Sequence, residues 1–435
     1  MDFLASDIAQ LVDGTLDGTD RTLNGASIDS RSVDAGQLFV PIVAERDGHD
    51  FIASAIGNGA GGYLTTRAAA ATDDGRAAIV VDDTMLALTS LGRAARARLR
   101  GPVVGITGSV GKTSVKDLTA AALGTSRTVH ASQKSFNNEM GVPLTLINAD
   151  EAVEVAVVEM GARGVGHINH LCSIAQPTIG VVTMVGAVHT SEFGDVATVA
   201  KAKGELVESL PAEGFAILNI DCPPVAAMAD RTSASVLTYG DGGDIQAESV
   251  VLDDQLRPSF RVVTPAGSCE VRLAVRGAHH VQNALAAIAV GTAIGVDLTS
   301  LAEGLAAAEL SPWRMEVHHT EGGAVVINDA YNANTLSVTA ALDALIAVGA
   351  DRSTAVLGVM AELGDRHDAD HAAMGDYARN HGIRLIAFQE AAYGAPVVDT
   401  IDEALTMLGT VDARDAVLIK GSRVAELERL ADRLR

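Results

Sequence analysis

An α/β fold built on a mostly parallel sheet is expected from three features of the 435-residue chain. Short apolar runs recur along it, and many end in polar or charged residues, as where ligands meet the carboxyl ends of parallel strands. One run, Pro102-Val103-Val104, feeds a glycine-rich turn and then a helical pattern through Leu123. The composition is 48% hydrophobic with 43 glycines and only 3% aromatic, which suits small-residue strands, helices and tight turns. The length exceeds what one core usually holds. Two or three domains are expected from length, and the pattern along the chain divides it into units over residues 1–98, 99–312 and 313–435.

The formal net charge is −23, which argues against nonspecific binding to nucleic acid or anionic membrane. A phosphorylated substrate then needs a locally positive site, for which Lys112, Lys116, Lys201 and Lys203 are candidates. Cys172, Cys222 and Cys269 are widely spaced and form no CxxC pair, so neither a disulfide framework nor a zinc site is expected. The start, Met1 to Asp7, lacks a basic and an apolar signal region, and no apolar run reaches the ~18 residues of a membrane span. A cytoplasmic location is the expectation.

In the first unit, Ala5 to Val12 reads as an amphipathic helix, Leu38 to Val43 and Ala77 to Val81 as strands, and Asp47-Gly48-His49-Asp50-Phe51 as a helix start. Ser30 and Arg31 form a polar patch able to hold a diphosphate or carboxylate, since arginine suits bidentate contact; a surface ion pair is the equal alternative. A basic helix over Arg93 to Arg100 leads to the next unit.

There the stretch Thr107-Gly108-Ser109-Val110-Gly111-Lys112-Thr113-Ser114 reads as a phosphate-binding loop. Glycines let backbone N–H groups converge on phosphate oxygens, the following helix presents its positive end, Lys112 neutralises charge, and Thr113 can ligate Mg²⁺. The strict spacing is not met, because Ile106 stands six before Lys112. Val153 to Met160, Thr178 to Val185 and Phe215 to Asn219 are the other strands, and the first ends in Glu159, placed to complete a Mg²⁺ site. His189 follows the next strand; a lone histidine is as readily structural. Lys201 and Lys203 fall on a helix, where exposure on a charged face is the plain alternative. Residues 244 to 275 change to an antiparallel pattern, and His279 to Ile294 returns to helix.

The third unit has strands over Ala324–Ile327, Ser353–Val359, Arg384–Phe388 and Ala416–Ile419. Arg314 suits a developing phosphoryl charge, and Asn332 and Asn334 follow a strand end, so this unit can close over a nucleotide. From the residues alone, phosphoryl transfer, ligation and a nucleotide switch all remain open.

Taken together, these stretches resemble the Mur ligases of peptidoglycan synthesis nearly end to end, above all the branch that adds D-alanyl-D-alanine. The motifs are Asp29-Ser30-Arg31, Asp47-Gly48-His49-Asp50-Phe51, the Gly-Lys-Thr loop, Asn137-Asn138-Glu139-Met140-Gly141, Glu159-Met160-Gly161-Ala162, His279 with Asn283, Tyr331-Asn332-Ala333-Asn334, Met360-Ala361-Glu362-Leu363-Gly364 and Lys420-Gly421-Ser422-Arg423. The Asp-Asn-Pro-Arg tetrapeptide of the diaminopimelate-adding sister is absent. The resemblance implies a small N-terminal α/β domain for the UDP-sugar peptide, a central P-loop ATPase and a C-terminal Rossmann-like domain. It implies ATP with two Mg²⁺ ions, a UDP-N-acetylmuramoyl-tripeptide and D-alanyl-D-alanine as substrates, an acyl-phosphate intermediate and a monomeric enzyme.

Residue by residue, the resemblance places Lys112, the loop from Thr107 to Ser114, His279, Asn283, Arg314 and Asn332 at ATP. Thr113 and Glu159 would hold one metal, and His189 with a carbamylated Lys203 a second; Lys201 is the weaker match. Ser30, Arg31, Asp47, Gly48, His49, Asn137 and Asn138 would serve the sugar-peptide substrate. Met184, His280, Ala330, Thr335 and Val359 depart from the family's pattern. A folylpolyglutamate-type ligase is the neighbouring alternative. A nucleotide switch is the alternative of another class, but no guanine-reading Asn-Lys-x-Asp is present.

Overall fold

The computed structural model describes residues 1–67, 76–133, 135–186 and 193–435. Three α/β segments follow one another, each around its own sheet. The first sheet has five short strands in the order Thr15–Asp17, Ala77–Val80, Gly62–Thr65, Leu38–Phe39, Ala26–Ser27. The strand expected over Leu38 to Val43 stops at Phe39. Pro41 has no N–H for a ladder, and the chain turns into the 3-10 turn Gly48–Phe51 instead. The basic helix is the end of a longer one, Thr84–Arg98, capped by the Asp83 carboxylate, which accepts from Met85 N and Leu86 N. Arg96 of that helix donates to the carbonyls of Ala175 and Gln176, fastening it to the next segment.

The central sheet is parallel throughout, in the order Ser235–Tyr239, Phe215–Asn219, Ile179–Val182, Val103–Thr107, Val155–Glu159, Val129–Ala131. Its inner strands are apolar without alternation because both faces are covered. Along Val155-Ala156-Val157-Val158 successive side chains enter opposite cores, as the two-residue period of a strand requires. One core meets the helices Gly141–Ile147, His167–Ala175 and Val196–Glu208; the other meets Lys112–Gly124 and His280–Ala293. The chain leaves Val103–Thr107 for the far edge and later returns to its other side, so the crevice at the carboxyl ends opens beside this strand.

The antiparallel stretch is a three-stranded sheet, Gln246–Leu252, Pro258–Thr264 and Gly267–Arg272, whose Phe260, Val262 and Val271 join the core of the helix His280–Ala293. The last sheet runs Glu316–His319, Val325–Asn328, Asp415–Lys420, Arg352–Leu357, Arg384–Phe388, Val397–Val398, with only the first pair antiparallel. Its two edge strands were not expected. Glu-Val-His-His reads as polar, and Val397–Val398 is two residues long.

Among the described residues, no helix is long and apolar enough to cross a membrane.

Candidate active site

The phosphate loop lies between the central strand and the helix Lys112–Gly124, and its shape explains why the strict glycine spacing is unnecessary. Ile106 is still in the strand, fully buried, where a side chain is wanted. The bend comes at Gly108, where an added Cβ would lie 1.9 Å from Thr183 Oγ1. At the helix start, Gly111 has φ +87°, a left-handed conformation that favours glycine. Thr183 Oγ1 donates to Val110 O at 2.5 Å, Ser109 N to Met184 O at 2.7 Å, and Gly186 N to Ser109 Oγ at 3.1 Å. The end of one neighbouring strand, Ile179–Val182, thus holds the loop in place. Thr183 was not singled out from the sequence; its position at a strand end next to the loop's strand was the available signal.

Lys112 folds back so that Nζ donates to Gly108 O at 2.8 Å. Burial pushes its ammonium below the ordinary lysine range, Glu159 and then Glu362 pull it up, and Arg314 pushes it down.

Glu159 ends the neighbouring strand and is 1% exposed. Its Oε1 accepts from Asn137 Nδ2 at 2.8 Å, and its own N–H donates to Ser132 Oγ at 3.1 Å. Oε2 is buried with no hydrogen-bond partner among the described residues. An unpaired buried carboxylate oxygen is costly, and a cation would satisfy it. With the Thr113 hydroxyl, the donor set is hard oxygen, which fits Mg²⁺. Asn137 therefore touches the acid of the centre. Asn138 turns inward as well, accepting from Met140 N and Gly141 N at the start of the helix Gly141–Ile147.

Lys201 and Lys203 part company. Two positions apart on the helix Val196–Glu208, they leave it about 200° apart; Lys201 is exposed and Lys203 buried. The Lys203 ammonium stands 6.0 Å from the centroid of the Phe193 ring. Burial, and then the Lys112 charge, push it down to about 7. His189 lies outside the described residues. Lys116, a phosphate-site candidate from the sequence, does not serve that site: its ammonium is buried, donates to Ser132 O at 2.8 Å and pairs with Asp117 at 2.9 Å.

From the third segment, Arg314 reaches across so that Nη2 donates to Thr113 Oγ1 at 2.9 Å. Its guanidinium stacks 4.0 Å over the Tyr331 ring, and the Tyr331 hydroxyl bonds Ser135 Oγ. Trp313 and Met315 flank it with φ of +61° and +53°, a strained joint that aims the arginine. Lys420, also buried, holds Asp329 Oδ2 at 2.5 Å and Asn332 O at 2.8 Å, so it shapes the Tyr-Asn-Ala-Asn loop. The Asn332 side chain is exposed and accepts from Ala333 N. Asn283 Oδ1 lies against Gly111, while its Nδ2 meets His280 Nδ1 at 3.1 Å. Burial holds His279 and His280 below the ordinary histidine range, and the rings lie 4.1 Å apart.

The first-segment residues form a separate group. Arg31 chelates Asp29 and its side chain is 85% exposed; Ser30 is buried, and its carbonyl accepts from Asn58. His49 is buried, and its Nε2 accepts from Thr66 N at 3.0 Å. Its Nδ1 therefore carries the proton and donates to Asp47 Oδ1 at 2.6 Å. Gly48 is required because a Cβ would lie 2.5 Å from Ile42 N. The His49 N–H and ring, with Arg67, hold the Asp47 carboxyl down to about 2. A depressed folded value gives stability that is present above the ordinary aspartate range and lost as pH falls through about 2. Asp47→Asn is expected to lower the urea midpoint near neutral pH, with the gap to the wild type closing as pH falls from 4 towards 2. A gap independent of pH would sink this account.

Three comparisons bear on this geometry. The family model described as "Mur ligase middle domain" matches residues 106–291, and "Mur ligase, glutamate ligase domain" matches 313–423. The UDP-N-acetylmuramoyl-tripeptide–D-alanyl-D-alanine ligase of Mycobacterium leprae is 37% identical over 99% of this chain and 98% of its own. The enzyme of that name from Escherichia coli K12 is 33% identical over 97% and 96%. Among solved structures, MurF from Acinetobacter baumannii superposes with a TM-score of 0.89 at 29% identity over 100% and 99% of the two chains. MurF ligase from Thermotoga maritima, in complex with ADP, gives 0.82 at 27% identity over 94% and 96%.

Proposed function

The chain belongs to the Mur ligase family, and from that premise we propose that it joins D-alanyl-D-alanine to UDP-N-acetylmuramoyl-tripeptide with ATP, making a peptidoglycan precursor. The observation that carries the mechanism is the meeting at one loop of Lys112, a Glu159 oxygen that has no partner among the described residues, and an arginine from the last segment.

A carboxylate is a poor acylating agent. Its oxygen attacks the γ-phosphorus of ATP, the bond to the β-phosphate oxygen breaks, ADP leaves and an acyl phosphate results. The dipeptide amine then adds to the acyl carbon, and the tetrahedral adduct collapses with loss of phosphate and of the amine proton. Lys112 and the loop amides hold the β- and γ-phosphates through both steps. Arg314, stacked on Tyr331, meets the charge that builds on the transferred group. The Arg314–Thr113 contact joins the last segment to the phosphate loop, and the Tyr331–Ser135 contact joins it to the stretch after the strand Val129–Ala131; together they shield the acyl phosphate from water.

Two Mg²⁺ ions complete the reading. Thr113 and Glu159 would hold one, and His189 with Lys203 as its carbamate the other; bound there, the metal supplies charge neutralisation for the phosphoryl oxygens. His279, Asn283 and Asn332 serve the nucleoside side. Ser30, Arg31 and the loop braced by Asp47, Gly48 and His49 receive the UDP-sugar, and Asn137 and Asn138 the peptide end. The domains are 1–98, 99–312 and 313–435. One chain supplies every group named, which fits a monomer, and the location proposed is the cytoplasm.

The test is phosphate release by the purified chain with ATP and Mg²⁺. Release is expected only when the UDP-tripeptide and D-alanyl-D-alanine are both present, and not when glutamate replaces the dipeptide. Hydrolysis indifferent to the dipeptide overturns the proposal.

A further inference from the structure

We infer that Arg231 is a positioning residue for Lys203: its guanidinium grips the helix Val196–Glu208 at the turn bearing that lysine and sets where the amine stands beside the phosphate loop. The inference rests on the assignment of Lys203 as a carbamylated metal ligand.

Arg231 ends the 3-10 turn Ala227–Arg231, which follows the strand Phe215–Asn219 and so is anchored in the central sheet. Its Nη1 donates to Ala200 O at 3.0 Å, Nη2 to Lys201 O at 2.9 Å and Nε to Glu208 Oε1 at 2.9 Å. A helix carbonyl already bonded within the helix has a second lone pair for such a donor. The guanidinium lies across Gly204, where a Cβ would stand 2.0 Å from Nη1 and 2.1 Å from Cζ. Gly204 does not have a positive φ, so the backbone there does not call for glycine. The arginine does.

Further round the same helix, the Glu205 carboxylate accepts from Gly166 N at 2.5 Å and Asn169 N at 2.9 Å. Two anchors on different faces fix rotation as well as height. Rotation matters, because an amine at the end of a lysine stands about 8 Å from the helix axis, whose Cα radius is about 2.3 Å. A turn of about 10° moves it by more than about 1 Å, a displacement that can cost about 100-fold in rate. The carbamate forms when the neutral Nζ adds to the carbon of CO₂ and releases one proton to solvent, so the same position governs whether the product is held.

The experiment uses the full chain in ¹³C-labelled bicarbonate and reads the carbamate carbon by NMR, beside kcat, KM and melting temperature. The wild type is expected to show a carbamate resonance that Lys203→Ala abolishes. Arg231→Ala, and Gly204→Ala whose methyl expels the guanidinium, are expected to weaken that resonance several-fold and lower kcat by about tenfold or more. KM for ATP should stay within about twofold, and raised bicarbonate should restore resonance and kcat together. Wild-type resonance and kcat in both variants overturn the inference, and so does a kcat loss tracking only a lowered melting temperature with the resonance intact. Absence of the resonance from the wild type overturns the carbamate assignment itself, and the role of Arg231 with it.

Discussion

Lys203→Ala is expected to leave less than about one hundredth of the wild-type turnover, the scale of losing a group that stabilises charge in the transition state. The side chain is buried beside the phosphate loop, yet among the described residues its ammonium has no hydrogen bond, only the Phe193 ring. A buried lysine without a carboxylate is unfavourable unless it is neutral or chemically changed. With its pKa at about 7, roughly half the amines are neutral at that pH and able to take up CO₂. Truncation to alanine leaves room for a small acid, so formate or acetate should restore part of the activity. Turnover is the measurement, and an unchanged rate would make Lys203 an inert core residue. The sign of the pH effect follows from the same shift. Between about 7 and the ordinary lysine value the unfolded chain binds more protons than the folded one, so the uncarbamylated protein gains stability as pH rises through that window.

Glu159→Gln should cost about 10²–10³ in turnover and move half-saturation by Mg²⁺ upward, on the scale of removing one preorganised charge-stabilising group. The amide keeps the carboxylate's shape, and its carbonyl oxygen can still accept from Asn137 Nδ2, so the strand end should stay folded. Two things are lost. The oxygen that has no partner among the described residues becomes an uncharged NH2, which cannot ligate a cation, and Lys112 loses the first of the two carboxylates that hold it charged. The check is a magnesium titration of phosphate release at saturating ATP. An unaltered titration would show that Glu159 only fixes a turn.

Much of this was legible beforehand, for identifiable reasons. The central strands are read from unbroken apolar runs because a parallel sheet covered on both faces admits little else. The phosphate loop is local, its glycines and Lys-Thr lying within a few residues, so spacing suffices to recognise it. The edge strands of the last sheet were missed because Glu316–His319 owes its strand state to pairing with Val325–Asn328, a partner that propensity does not see.

The candidate site divides the same way. The sequence alone determined the α/β class, the loop, the acid at the strand end and the family to which these stretches point. The tertiary structure decided which charged groups remain available. It turned Lys116 away to Ser132 and Asp117, set Lys203 inside and Lys201 outside, and brought Asn137 to Glu159. Spacing along the chain records which residues are near in sequence, whereas the availability of a charge depends on burial and on partners that folding brings from distant segments. Arg314 meets Thr113 across two hundred positions, and no local pattern encodes that contact.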